Sequence, residues 1–315
     1  YAKAADYPAL AFTAARQVEA QNVLHLDEAA CRQDGWRISS FSGLHRSLEK
    51  QYSHAADDEP RAPPDSADSA FEGAAFGNAL HAVLEHAEPA DWALASPQAL
   101  RQNALLQCRK ALQTFGYPQA LAEKGVPVLA GLIFNTLHGL LPEHMRLLDL
   151  PNGGKRHELE FHLRLNHAGS DAVLALMHRH GYCLQRPHFG FQNRLHGLLT
   201  GKIDLLYQAE GRLFILDYKS NLLPAYDPAT LAEAMQDSEY DLQYLLYSVA
   251  VHRWLKHKLG AAYDYDRTFG GIRYLFARGM RPGQADGIFC DMPPADLIAG
   301  LDACFDSGTR DGHER

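Results

Sequence analysis

The chain has 315 residues, a net charge of −8, and 46% hydrophobic against 22% charged residues, a balance that excludes a collagen, a coiled coil and a fully disordered chain. At about 150 residues per domain, this length fits one large domain or two smaller ones. No stretch reads as the roughly 18 apolar residues of a membrane span, and the cysteines at 31, 108, 183, 290 and 304 form no Cys-x-x-Cys pair, which leaves zinc ribbons and iron–sulfur clusters unsupported and points to a reduced, cytoplasmic protein.

The chain starts at Tyr1 with no charged-then-apolar leader, which reads as a piece of a longer chain or a processed product. Residues 1–35 form a polar, helix-prone lead-in, and Trp36 to Ser42 begin the first ordered element. Residues 52–70 hold three prolines and five acids among few apolar groups, the composition of a disordered loop. From Phe76 to Glu85 the pattern turns helical, with Leu80, Val83 and Leu84 on one face. Leu- and Ala-rich segments predict two further helices, over 98–115 and 126–141. Leu159, Phe161, Leu163 and Leu165 alternate with Glu160, His162 and Arg164, a half-buried strand by its period of two. Residues 199–208 and 212–219 predict a hairpin turning at Ala209-Glu210-Gly211. One long helix is expected over 230–259, and a final strand over 271–277. That order predicts an α/β protein, a mixed sheet flanked by helices, with helical additions.

The acidity lies at the ends. Residues 1–70 carry 7 basic and 11 acidic groups and residues 286–315 carry 2 and 7, whereas 185–285 carries 12 and 10. A phosphate-binding site in the middle is therefore allowed.

The hairpin carries the chemistry. Asp204 lies on its first strand, and Asp217 on its second, thirteen positions on. Paired strands run about 4.8 Å apart, so the two carboxylates can reach one spot. Asp217 and Lys219 are two apart and leave the same face of their strand. Two close carboxylates repel unless a cation or proton intervenes, and hard oxygen ligands suit Mg²⁺ or Mn²⁺. A lysine beside them can hold a water or a phosphate oxygen. Metal, water and phosphate together describe phosphodiester hydrolysis. The same spacing also fits an ordinary Asp–Lys surface ion pair.

The Asp-x₁₂-Asp-x-Lys pattern resembles the PD-(D/E)XK nuclease core. The wording from Gly201 to Asn221 resembles, more narrowly, the C-terminal nuclease domains of RecB, the beta subunit of exodeoxyribonuclease V. Gly77 to Glu85 matches that family's Gly-x₃-His helix, Glu158 to Phe161 its preceding strand, and Gln243 with Tyr247 its Gln-x₃-Tyr helix. Trp36 to Leu44 and the segment from Phe269 onward are similar to its first and last pieces, so the likeness runs over residues 36–305. The resemblance implies a PD-(D/E)XK restriction-endonuclease-like core over 36–315, preceded by a linker from an upstream helicase region. It implies that His81, Asp204, Asp217 and the Tyr218 carbonyl hold Mg²⁺, that Mn²⁺ substitutes, and that Lys219 is the catalytic lysine. Gln243 and Tyr247 would touch the DNA strand. Glu160 and Ser220 are further candidates, each equally readable as a surface glutamate and a strand end. The implied partners are DNA, the upstream helicase region, and the gamma and alpha subunits of a RecBCD complex in the bacterial cytoplasm, with no membrane. The implied process is double-strand break repair and DNA degradation. An inactive binding module and a standalone exonuclease of the same fold remain open.

Four other signals carry less. Gly197 to Ile203 imitates a phosphate-binding loop but is one residue short and lies in a strand. His178, His180, Cys183 and His188 fit no standard zinc spacing. The basic run Arg253, Lys256, His257 and Lys258 is expected to favour the end of its helix over DNA, while Arg273, Arg278 and Arg281 fit a strand groove or plain surface.

Overall fold

A computed structural model describes residues 37–40, 71–93, 96–189 and 194–306. The expected lead-in over 1–35, Trp36, and the loop over 52–70 lie outside the described residues.

One mixed six-stranded sheet organises the chain: β1 (Arg37–Ser40), β2 (Lys155–Gly169), β3 (Arg194–Ala209), β4 (Arg212–Lys219), β5 (Phe269–Phe276) and β6 (Ile288–Asp291). β3 is its axis. Antiparallel β2 runs along one edge of β3. Its other edge pairs first with parallel β1, at Gly197–Thr200, and then with antiparallel β4, at Leu205–Ala209. The β3–β4 turn is the expected one. Glu210 and Gly211 both have positive φ, 50° and 76°, the mirror-type turn whose twist suits a two-residue hairpin.

Each face of the sheet carries its own core. Over one lie α1 (Gly73–Glu85), α2 (Gln102–Thr114) and α3 (Gln119–His138). In α1 the buried residues Phe76, Ala79, Leu80, Val83 and Leu84 fall at helical spacing and make the apolar stripe. Over the other face lie α4 (Ser170–Arg179), α5 (Pro228–Asp237), α6 (Tyr240–Leu259) and α7 (Ala295–Asp306).

The face read by β3 changes partway along the strand. Leu195, Leu199 and Ile203 pack beneath α6, whereas Leu205, Tyr207 and Ala209 pack beneath α1. The alternation breaks at Asp204. In the partner strand the facing position is Glu158, whose φ is 53°. The distortion turns a carboxylate out at the place where the β3–β4 ladder ends.

Three expectations are corrected. The single helix over 230–259 is two helices, α5 and α6, broken at Ser238-Glu239, where Glu239 takes a left-handed φ of 49°. The helix expected from 126 begins at Gln119 and runs through Pro127, because apolar contacts along its length outweigh the one backbone bond that proline removes. By length and hydropathy α3 is also, among the described residues, the one helix able to cross a membrane; half of that window is buried in the core. The strands outrun the expected ones at both ends of β2, and α4, β6 and α7 were not foreseen at all.

The basic end of α6 turns toward α7. Arg253 bonds Asp302, and His252 Nε2 and Lys256 Nζ each lie 3.7 Å from the same carboxylate. The His252 ring beside it, and then the bonded Arg253, hold the Asp302 carboxyl below the usual range. A depressed carboxyl adds stability above its unfolded value, near 4, and loses it as pH falls toward the folded value. Asp302→Asn is therefore expected to melt below the parent at pH 7, with the gap narrowing progressively as pH falls below about 4. A gap that stays constant with pH in thermal denaturation would count against that linkage.

Candidate active site

The β3–β4 ladder ends at the pair Leu205–Leu216. One step beyond it in register stand Asp204 and Asp217, followed by Lys219. At this end of the sheet α1 arrives from one face and α6 from the other.

α1 can come close because of Gly77. A Cβ there would stand 3.1 Å from Ser220 Oγ, tighter than ordinary packing. One turn on, His81 Nδ1 lies 3.2 Å from Asp204 Oδ2. The backbone N–H of Tyr218 donates to the same oxygen at 2.9 Å. The Tyr218 ring is buried in the α1-side core, edge-on to His81 at 6.0 Å. Arg278 ties the approach to α1 to the end of β4: it donates to the carbonyls of Ser220, at 2.8 Å, and Phe71.

Asp217 is buried, and Lys219 Nζ lies 2.6 Å from its Oδ2. Lys219 Nζ also donates to Gln243 Oε1 at 3.2 Å. Gln243 accepts a second bond from Tyr274 OH, at 2.8 Å, and donates to Tyr247 OH at 3.0 Å. The rings of Tyr240 and Tyr274 lie 4.0 and 5.0 Å from the ammonium.

The charges are set against one another. Burial, then the Asp204 charge, raise the Asp217 carboxyl above its ordinary range, despite Lys219. Burial also works against ionised Asp204, but the charge and hydrogen bond of His81, Lys219 and the Tyr218 N–H outweigh it and hold its pKa low. Burial opposes the His81 and Lys219 cations as well. Asp204 overcomes it at His81, and Asp217 with Tyr240 at Lys219, so both pKa values are raised. Two carboxylates set this close repel unless a cation or a proton intervenes, and here His81 stands against Asp204 and Lys219 against Asp217.

His81, Asp204, Asp217, Lys219, Gln243 and Tyr247 thus meet at one end of the sheet, with Tyr218 contributing backbone and Ser220 lying against Gly77. Their donors face each other: among the described residues, no three His, Cys, Asp or Glu side chains converge on a single point. Glu160 is not among them. It is exposed and stands across the ladder from Lys202. Glu158, opposite Asp204, is the glutamate nearer the cluster, and it pairs with Lys202. Sequence reasoning missed Tyr274, within the strand expected over 271–277, and Tyr240, three residues before Gln243. Tyr274 reaches the site because parallel β5 places it beside Asp217, a pairing that one sequence does not display.

The decoys settle as structure. His178 bonds the carbonyls of Cys183, at 2.9 Å, and Arg186, at 3.1 Å. Arg273 is held by Glu143 at 2.6 Å, and Arg281 by the carbonyls of Arg278 and Met280. Gly197 to Ile203 lies within β3.

A mixed sheet flanked by helices, with paired carboxylates and a lysine at the end of its central hairpin, defines the core of a nuclease. The match to the PD-(D/E)XK nuclease superfamily spans residues 39–278, and the chain belongs to that superfamily, whose members generally use divalent metal ions. The chain is similar to the RecBCD enzyme subunit RecB of Escherichia coli K12, 34% identical over 86% of this chain and 23% of that protein. It is similar to the same subunit of Mycolicibacterium smegmatis, 29% identical over 86% and 29% of the two chains. The subunit from Haemophilus influenzae is 37% identical over 50% and 13%. The chain spans less than a third of the length of these curated relatives.

Proposed function

We propose that this chain is the nuclease domain of a RecB-type helicase–nuclease, hydrolysing phosphodiesters of single-stranded DNA with Mg²⁺, for which Mn²⁺ substitutes. The observation that carries the reading is Asp217: a buried carboxylate one register step from a second carboxylate, with a lysine ammonium 2.6 Å from its Oδ2. A donor set of two carboxylates, one imidazole and the Tyr218 carbonyl fits a divalent ion, and the imidazole favours tolerance of Mn²⁺.

In this reading His81, Asp204, Asp217 and the Tyr218 carbonyl hold the ion. A divalent ion held there would supply Lewis-acid stabilisation of the charge on the scissile phosphate. Lys219 donates to and orients the attacking water, and its charge offsets negative charge growing on the phosphate. Gln243 holds Lys219 and, with Tyr247, lines the path of the strand. Ser220, just past the end of β4, is a further candidate for phosphate contact. The partners are DNA, the upstream helicase region, and the gamma and alpha subunits of a bacterial, cytoplasmic RecBCD complex acting in break repair and DNA degradation.

The donors' facing one another, rather than one point, is what favours the rival reading of an inactive binding module. Titration with metal separates the two. With Mg²⁺ or Mn²⁺ at 100 times Kd, the parent is expected to gain about 2.7 kcal/mol of stability. Asp204→Asn is expected to gain almost none. A parent whose melting temperature ignores both ions, and which cuts no labelled single strand, would promote the binding module.

A further inference from the structure

The surroundings of Lys219 point to two residues with no role in the reaction described so far. Its ammonium stands 4.0 Å from the centre of the Tyr240 ring and 5.0 Å from that of Tyr274, both inside the roughly 6 Å reach of a cation–π contact. The two rings are tilted against each other at 5.8 Å. Each is fixed by its own hydroxyl: Tyr240 OH donates to Asn221 Oδ1 at 3.3 Å, and Tyr274 OH to Gln243 Oε1 at 2.8 Å. Asn221 is itself pinned, its carbonyl accepting from Tyr226 OH at 3.0 Å. The lysine thus meets one carboxylate, one amide oxygen and two aromatic faces.

A lysine side chain is long and has several soft torsions, and an ion pair alone fixes the charge rather than the direction of its three N–H bonds. Asp217 takes one side of the ammonium and Gln243 another. We propose that Tyr240, backed by Tyr274, is a positioning residue whose π face packs against the ammonium and holds Lys219 in the rotamer that leaves its third N–H for the attacking water. This rests on the nuclease reading above. It adds that the aromatic face, not the hydroxyl, is what position 240 supplies.

The test compares Tyr240→Phe, which keeps the face, with Tyr240→Leu, which removes it. A desolvated cation–π contact supports a loss of about ten- to thirty-fold. Tyr240→Leu is expected to lower kcat by that factor while KM and Mn²⁺ affinity stay near the parent's. Tyr240→Phe is expected to recover most of the rate, short of the parent because the bond to Asn221 is gone. A purely structural role would lower the melting temperature without such a split.

A second readout does not need catalysis. The rate of reductive methylation of Lys219, followed by mass spectrometry of the whole chain, is expected to rise at least tenfold in Tyr240→Leu and to stay close to the parent's in Tyr240→Phe. If the parent cuts no DNA but the methylation pattern holds, the cage stands and the nuclease reading fails. If Tyr240→Leu leaves the methylation rate of Lys219 unchanged, or if Phe and Leu variants behave alike, the cage is overturned whatever the parent cuts.

Discussion

Lys219→Ala is expected to reduce cleavage of single-stranded DNA by about 10²–10⁴-fold, the range for removing a group that orients water or stabilises transition-state charge. Lys219 makes the ion pair with Asp217 and the bond to Gln243, so its loss removes the ammonium beside Asp217. The carboxylates themselves remain. Metal binding should therefore survive and even tighten, because the ion no longer competes with an ammonium 2.6 Å from Asp217 Oδ2. Asp217→Ala should lose both binding and cleavage. Calorimetric titration with Mn²⁺ alongside a labelled-strand assay separates the two variants. Equal loss of metal affinity in both would remove Lys219 from its assigned role and make it part of the metal's support.

Arg186→Leu is expected to cost about 3–5 kcal/mol of stability, the penalty for breaking a buried ion pair from one side. The Arg186 side chain is fully buried, donating to both oxygens of Glu239 at 2.9 and 2.6 Å, and the Glu239 side chain is 13% exposed. Arg186 also lies over the Phe189 ring at 5.1 Å. The leucine variant would leave the Glu239 charge buried where the α5–α6 backbone turns left-handed. A fall in melting temperature on the order of 10 °C is expected for a chain of this size. The double variant Arg186→Leu/Glu239→Leu should regain a substantial part of it, since removing both charges avoids the stranded one. Because α6 starts at Tyr240, one residue past Glu239, the single variant should also cut more slowly at temperatures where it remains folded. A double variant no more stable than the single one would mean that packing, not charge, carries the cost.

The Arg186 clamp shows why part of the fold was not legible. Periodicity reads which faces of a local segment are apolar, and over 230–259 that pattern continues across Ser238-Glu239. The break comes from an arginine 53 positions upstream and from Asp241, which accepts the Cys183 N–H at 2.6 Å. Neither contact leaves a local trace. Glu160 was a candidate for a similar reason. Alternation places it on the polar face, but only the ladder register, with Glu158 opposite Asp204, says which glutamate stands near the site.

By itself the sequence determined the hairpin with its two carboxylates and lysine, the apolar stripe of α1 that carries His81, and the mixed α/β class, because strand and helix periods and turn chemistry act over a few residues. Tertiary structure alone decided that β3 changes face at Asp204, that β5 brings Tyr274 beside Asp217, and that α6 begins where Tyr240 and Gln243 can cover Lys219. Those are register and long-range electrostatic effects. They depend on which distant backbone lies alongside, and hydrophobic patterning is indifferent to that choice.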